Sequence, residues 1–279
     1  MTHFINEPEN SVTEAIDGLI AASGGKLARL DGYPHIRVVI RSDWDKSRVA
    51  LISGGGSGHE PAHAGFVGAG MLTAAVCGDV FASPSVEAVL AAILAVAGPD
   101  GCLLIVKNYT GDRLNFGLAA ARARSLGRKV EMVIVGDDIA LPYLSQPRGV
   151  AGTLFVHKIT GALAREGADL ATIAKAARRV AEGTKSFGMS LDTCVVPGSP
   201  KEDRIPSGMI ELGLGIHGEP GVKQADFKNA RTALAAVCVR LTEAMNDRPH
   251  VALVNNLGGT SNLEMSVIVH ELIQSHLGD

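Results

Sequence analysis

Residues 102–135, CLLIVKNYTGDRLNFGLAAARARSLGRKVEMVIV, decide the fold class. The stretch opens and closes on apolar, β-rich runs, CLLIV (102–106) and VEMVIV (130–135). Between them RLNFGLAAARARSLG carries apolar residues at helical spacing, and Gly127 supplies a C-terminal stop. A strand, a helix and a second strand, with both strands apolar throughout, predict a parallel pair buried on both faces. Upstream, RVVIR (37–41), RVALIS (48–53) and LTAAV (72–76) read as further strands. SPSVEAVLAAILAVAG (83–98) reads as a helix that Ser83-Pro84 starts and Gly98 ends.

Downstream, a long irregular loop, GDDIALPYLSQPRGVAG (136–152), leads into two helices expected at 153–166 and 169–185. The pattern then changes. MSLDTCVV (189–196) and MIELGLGIHGEPG (209–221) read as strands around the Pro-rich PGSPKEDRIPSG, followed by a helix at 225–246, a strand HVALVNN (250–256) and a helix at 263–276. The expectation is an α/β protein of two α/β units, 1–187 and 188–279, the first built on a mostly parallel sheet flanked by helices. An α/β unit normally returns to its sheet after such a last helix. The second unit is therefore expected to be incomplete at its C-terminus, or to close without another strand.

Composition excludes several classes. A net charge of −3 gives no electrostatic case for nucleic acid or an anionic membrane, and 4% aromatic residues leave no base-stacking surface. No apolar run approaches the roughly 20 residues that span a bilayer. The opening MTHFINEPENSV lacks the basic and apolar segments of a secretory signal. Cys77, Cys102, Cys194 and Cys238 are scattered without a CxxC pair, which reads as mostly buried free thiols in a reducing compartment. The expected location is cytoplasmic.

The candidate chemistry starts at VALISGGGSGHEP (49–61), where an apolar run feeds a glycine-rich loop that ends on a histidine and an acid. A dinucleotide fingerprint would place its three glycines at Gly54, Gly56 and position 59, but position 59 is His59, which obstructs close helix–strand packing. Asp79, near the end of the next strand, imitates the ribose-binding acid of that fingerprint. No G-K-[ST] follows, so a Walker loop is excluded. His59-Glu60-Pro61-Ala62-His63 matches H-E-x-x-H literally. Pro61 fits only a first helical turn, so His59 precedes the helix, the two imidazoles diverge, and His63 reads as a structural first-turn residue. The third reading takes His59 as a proton-moving group at the C-terminal end of a strand, with the Gly54–Gly58 backbone open to a substrate's oxygens.

Two further constellations repeat this layout. Lys107 and Asp112 follow the strand CLLIV; Asp112 either caps a helix beginning at Arg113 or Leu114, or works with His59 across the same edge. In ELGLGIHGEPG (211–221), His217 sits between Gly215 and Gly218, where an accessible neutral imidazole can add to a carbonyl.

SGGGSGHEPAHAGFVGAGML, CGDVFASPS, IVKNYTGDRLNFG, RGVAGTLFVHKI, GIHGEPG and ALVNNLGG together resemble the substrate-binding part of the dihydroxyacetone kinase family, over residues 10–277. CGDVFASPSVEAVLAAI and NYTGDRLNFGLAA resemble the single-chain, ATP-dependent members more than the subunits served by a phosphotransferase system. The resemblance implies that His217 adds to a ketone carbonyl as a covalent hemiaminal, which selects carbonyl sugars against glycerol. It implies that His59 and Asp112 are acid/base partners for the terminal hydroxyl that attacks the γ-phosphate. It implies a pocket lined by Gly55, Gly56, Ser57, Gly58 and Lys107, and a homodimer. Dihydroxyacetone, glyceraldehyde and erythrulose all offer the required carbonyl. Family members continue past the position of Leu277 with another strand, and single-chain kinases then add a helical ATP-binding domain. The chain is accordingly expected to bind no cofactor or metal itself, with ATP and Mg on a partner domain or subunit, and to be inactive alone. The competing readings are a non-catalytic ketose sensor and an NAD-dependent oxidoreductase.

Overall fold

The structure, a computed structural model, describes residues 4–30, 32, 35–59, 63–143, 145–216, 219–245 and 249–275. Strands β1 (Leu27–Arg29), β2 (Val38–Arg41), β3 (Ala50–Ser57), β4 (Ala74–Val80), β5 (Cys102–Lys107) and β6 (Val130–Val135) form one sheet in the order β1-β2-β4-β3-β5-β6. β3 runs parallel to both β4 and β5, and β5 parallel to β6, while β1 and β2 make an antiparallel edge. The mostly parallel sheet is as expected.

Alternation along the strands sorts the core onto two faces. Val38, Ala50, Ile52, Leu104 and Val106 pack with helices α2 (Val86–Val96) and α3 (Thr110–Ser125). Val39, Leu51, Leu103 and Ile105 pack with α1 (Ser11–Ala22), α4 (Thr153–Arg165) and α5 (Leu170–Gly183). Covered on both sides, the central strands have no solvent face to mark with polar residues, so they read as continuous apolar runs. Ser85 and Asp169 cap α2 and α5 by accepting the backbone N–H groups of Ala88 and Thr172.

A second sheet, β7 (Met189–Ser190), β8 (Met209–Leu212) and β9 (Lys223–Asp226), is antiparallel and packs on α6 (Ala230–Ala244) and α7 (Asn262–Ile273). Here several expectations are corrected. The strand at 189–196 shrinks to two residues, and the one at 209–221 ends at Leu212, where Gly213 turns the chain at φ +72°. Lys223–Asp226 is an edge strand that takes in Ala225 and Asp226, expected to open a helix; Asn229 caps α6 by accepting from Thr232. Residues 250–256 form no strand among the described residues: neither sheet includes them, and Val251 and Leu253 are exposed. Cys194 is exposed rather than buried. Burial pushes the thiols of Cys77 and Cys102 up to about 12. No helix among the described residues is long and apolar enough to cross a membrane.

Candidate functional site

The glycine loop gets its shape from its neighbours. A side chain on Gly56 would place Cβ 2.6 Å from the Ala82 nitrogen and 2.8 Å from Cα of Phe81. The chain after β4 therefore lies directly on the backbone of Gly56, and only glycine fits. The register of β3 against β4 shifts between Gly55 and Ser57, and the Ser57 hydroxyl donates to the Gly78 carbonyl at 2.8 Å. Phe81, with φ +56°, turns its ring flat under His59, the centroids 4.6 Å apart and the planes 5° from parallel. His59, at the end of this loop, is thus buried and fixed in orientation. No α-helix begins at the loop among the described residues; a 3-10 turn at Ala64–Phe66 follows, so the strand–loop–helix frame of a dinucleotide site is not formed here. Asp79, the imitation ribose acid, is exposed and paired with Arg37.

Gly55, by contrast, faces polar groups. Its Cβ position lies 3.6 Å from Asp112 Oδ2 and 3.7 Å from His63 Nε2, ordinary contact distances. Asp112 is the third residue of α3, which starts at Thr110; the helix therefore begins earlier than the capping alternative assumed, and Tyr109, not Asp112, is at the cap position. The buried Asp112 carboxylate sits at the positive end of the α3 dipole and accepts the Ser83 hydroxyl. Lys107, the last residue of β5, is buried beside these groups.

Beneath the loop lies a polar cluster that the sequence reading did not single out. Ser53 donates its hydroxyl proton to the Ile105 carbonyl at 2.7 Å, so its oxygen accepts from His63 Nδ1, 3.3 Å away. His157 Nε2 lies 3.3 Å from the same Nδ1. His63 Nδ1 thus lies between the Ser53 hydroxyl and His157 Nε2, while its Nε2 faces Gly55. Burial first, then the charges of Lys107, His157 and His59, hold His63 well below the usual histidine range. Burial and then Lys107 push His157 down to about 3. Both rings are neutral at pH 7. His63 therefore contributes to the polar wall rather than only to the turn. The signal for His157 was present in FVHKI, a histidine on the apolar face of α4.

His59, Asp112, Lys107 and Gly55–Gly58 are thus gathered at the C-terminal ends of β3 and β5, the edge where open α/β sheets take ligands. His217 and Gly218 lie outside the described residues, as do Glu60, Pro61 and Ala62 of the H-E-x-x-H match. The described residues preceding His217 are buried, with Leu214 and Ile216 both turned inward.

The dihydroxyacetone kinase of Citrobacter freundii is 54% identical over 98% of the chain, and the chain spans about half of that relative's length, 50%. Its crystal structure matches with a TM-score of 0.95, covering 99% of this chain and 52% of that one, and it has also been solved in complex with AMP-PNP and Mg2+. The dihydroxyacetone-binding subunit DhaK of the PTS-dependent dihydroxyacetone kinase 1 of Listeria innocua is 41% identical over 99% of this chain and 86% of its own. The solved structure of a dihydroxyacetone kinase operon co-activator, Dha-DhaQ, matches with a TM-score of 0.88 at 31% identity, covering 96% of this chain and 83% of that one. The Dak1 domain model matches residues 17–277, nearly the whole chain, and with the identity over that length it establishes that this chain belongs to the Dak1 domain family.

Proposed function

We propose that the chain is the substrate-binding part of a dihydroxyacetone kinase, dividing at residues 187/188 into a unit that handles the hydroxyl end of the substrate and a unit that captures its carbonyl. The observation that carries the reading is that the buried His59 and Asp112 follow the C-terminal ends of the neighbouring parallel strands β3 and β5, with Asp112 Oδ2 beside Gly55. In this mechanism a neutral His217 nitrogen uses its lone pair to form a C–N bond to the carbonyl carbon. The π pair moves to oxygen, which takes up a proton, and the other ring nitrogen gives one up, leaving a neutral hemiaminal. The terminal hydroxyl of the captured sugar then meets His59 and Asp112, which accept its proton as its oxygen bonds to the γ-phosphorus of ATP and ADP departs.

ATP and Mg are supplied by a separate domain or subunit in this reading. Among the described residues no group of three or more histidine, cysteine, aspartate or glutamate side chains is placed to hold a metal ion. The polar wall here is built of imidazoles, an ammonium and one carboxylate, a set suited to a neutral polyhydroxy ketone rather than to a triphosphate with its metal. We further place the protein in the cytoplasm as a homodimer, on the strength of the family resemblance.

The test is a carbon-13 spectrum of dihydroxyacetone labelled at its carbonyl, with wild-type protein and with His217→Ala. A bound tetrahedral signal that requires His217 is expected. Its absence from folded wild-type protein would sink carbonyl capture. With an ATP-binding partner added, Asp112→Asn should keep binding the ketose while transfer is lost; full turnover would remove Asp112 from the mechanism.

A second reading, a non-catalytic ketose sensor, is favoured by the likeness to the operon co-activator, which the chain matches over most of that protein's length. Phosphorylated product on adding the ATP-binding partner separates the two: the kinase part yields it, and a sensor binds ketose without turnover.

A further inference from the structure

We infer that Arg148 is a positioning residue, a clamp that ties the second unit's backbone at 213–216, which leads into His217, to the first unit; the inference rests on the carbonyl-capture reading above. Arg148 opens the motif RGVAGTLFVHKI, whose arginine has no part in the chemistry so far. It is a buried cation with its donors spread over two units. Nε donates to Asp138 Oδ2 at 2.6 Å, and Nη2 donates to the Gly213 carbonyl at 2.8 Å. Nη1 lies 2.8 Å from the place a Cβ on Gly215 would occupy, so the guanidinium rests on the bare backbone two residues before His217.

The anchor is rigid. Asp138 Oδ1 accepts from the Ala140 N–H, the Asp138 N–H donates to the Arg148 carbonyl, and Asp138 bridges to Ser186. The far side of the segment is held too. The Gly215 N–H donates to the Glu219 carbonyl across His217, and the Glu219 carboxylate also packs over Gly215. The buried Tyr109 hydroxyl, three residues from Asp112, lies within electrostatic reach of both the Ile216 backbone and Glu219.

Addition to a carbonyl needs the attacking nitrogen and the carbon in a near-attack arrangement, while the other end of the substrate is held on a different sheet. A misplacement of about 1 Å costs roughly a hundredfold in rate. A planar fork can serve a carboxylate and a carbonyl in fixed directions at once; a lysine cannot.

The test compares Arg148→Lys, Arg148→Met and Gly215→Ala in the full chain. Gly215→Ala keeps both charges of the buried ion pair and drives a Cβ against the Glu219 carboxylate and Arg148 Nη1, so it disturbs the clamp from the other side and serves if the arginine variants do not fold. In folded variants, amide exchange at 213–216 is expected to rise. The preference for dihydroxyacetone over glycerol should fall toward that of His217→Ala by about a hundredfold, while glycerol affinity, which relies on the first unit, stays within about twofold. A merely structural role would weaken both ligands together, and that result overturns the proposal, as does unchanged exchange. Should wild-type protein show no His217-dependent tetrahedral signal, carbonyl capture falls. Exchange at 213–216 then judges the clamp alone: a rise sustains it and no change removes it.

Discussion

The two sheets of this protein are held in different ways. In the six-stranded sheet β5 is buried at every residue, with helices on both faces. In the three-stranded sheet β9 is exposed at three of its four residues, and α7 buries none of its twelve. A strand sandwiched between two helical layers fixes the position of whatever leaves its end. A small sheet covered on one face does not, and so the chain leaving β8 at Gly213 takes its fixing from Arg148, on the loop after β6. The first unit supplies rigidity for both halves of the candidate site.

The largest effect should come from breaking that rigidity at its source. Leu104 is fully buried at the centre of β5, and Leu104→Ala should cost about 3 kcal/mol of unfolding free energy, within the roughly 2–5 kcal/mol seen for such cavities. Urea denaturation measures it. A loss below about 1 kcal/mol would mean that the two sheets do not differ as described.

Next comes the loop that the first sheet shapes. Gly56→Ala drives a Cβ into backbone atoms of residues 81 and 82, which cannot swing aside as a side-chain tip could. The expected cost is about 2 kcal/mol of overpacking strain. Because Phe81 carries His59, ketose affinity should fall as well. Titration with dihydroxyacetone, alongside a melting curve, reads both, and affinity equal to wild type would detach the loop's packing from the site.

Much of this could be read in the sequence, and the losses have physical causes. The central strands and α2 to α5 were legible because apolar periodicity reports burial: β5 is buried throughout, and each of these helices buries one face. α1 and β1 went unread: α1 carries Gly18 and buries only Val12, Thr13 and Ile16, and β1 is a three-residue edge strand of half-buried residues. β9 is KQAD, polar because it is an edge. HVALVNN misled in the opposite sense, since an apolar run suggests a strand but a ladder partner is needed to make one. In the candidate site, His59 and Asp112 were legible as ionisable groups leaving strand ends. Ser53 and Ser83 were not, because their partners lie 52 and 29 residues away, and FVHKI marks His157 only as a histidine on an apolar helix face, not its partner 94 residues away.

The buried histidines give a smaller effect with a definite sign. His157 titrates near 3 when folded and near 6.5 when unfolded, because burial and Lys107 oppose its charge. Above pH 6.5 both states are neutral and no penalty exists. As pH falls below 6.5 the unfolded chain takes up a proton that the native chain refuses, so stability drops by about 1.4 kcal/mol per pH unit until the folded value is reached. His63 adds a loss of the same sign. His157→Gln should remove one proton's share of that acid slope, measured by urea denaturation at about pH 7 and about pH 5.5. An unchanged slope in a folded variant would mean that His157 is not the group being titrated, and that the first unit's polar interior tolerates charge.

The smallest effect should lie in the second unit. Leu263 opens α7 with its side chain 75% exposed, while Ile268 and Leu272 on the same helix pack against α6. Leu263→Ser removes apolar surface that is already in water, so the folded and unfolded states lose nearly the same hydration term. The change in unfolding free energy should stay within about 0.5 kcal/mol. Ser261 and Glu264 form a reciprocal capping box around this first turn and do not depend on the leucine. A loss as large as that of Leu104→Ala would show that α7 is covered in solution and that the second unit borrows its stability, as it borrows its precision, from a contact outside its own sheet.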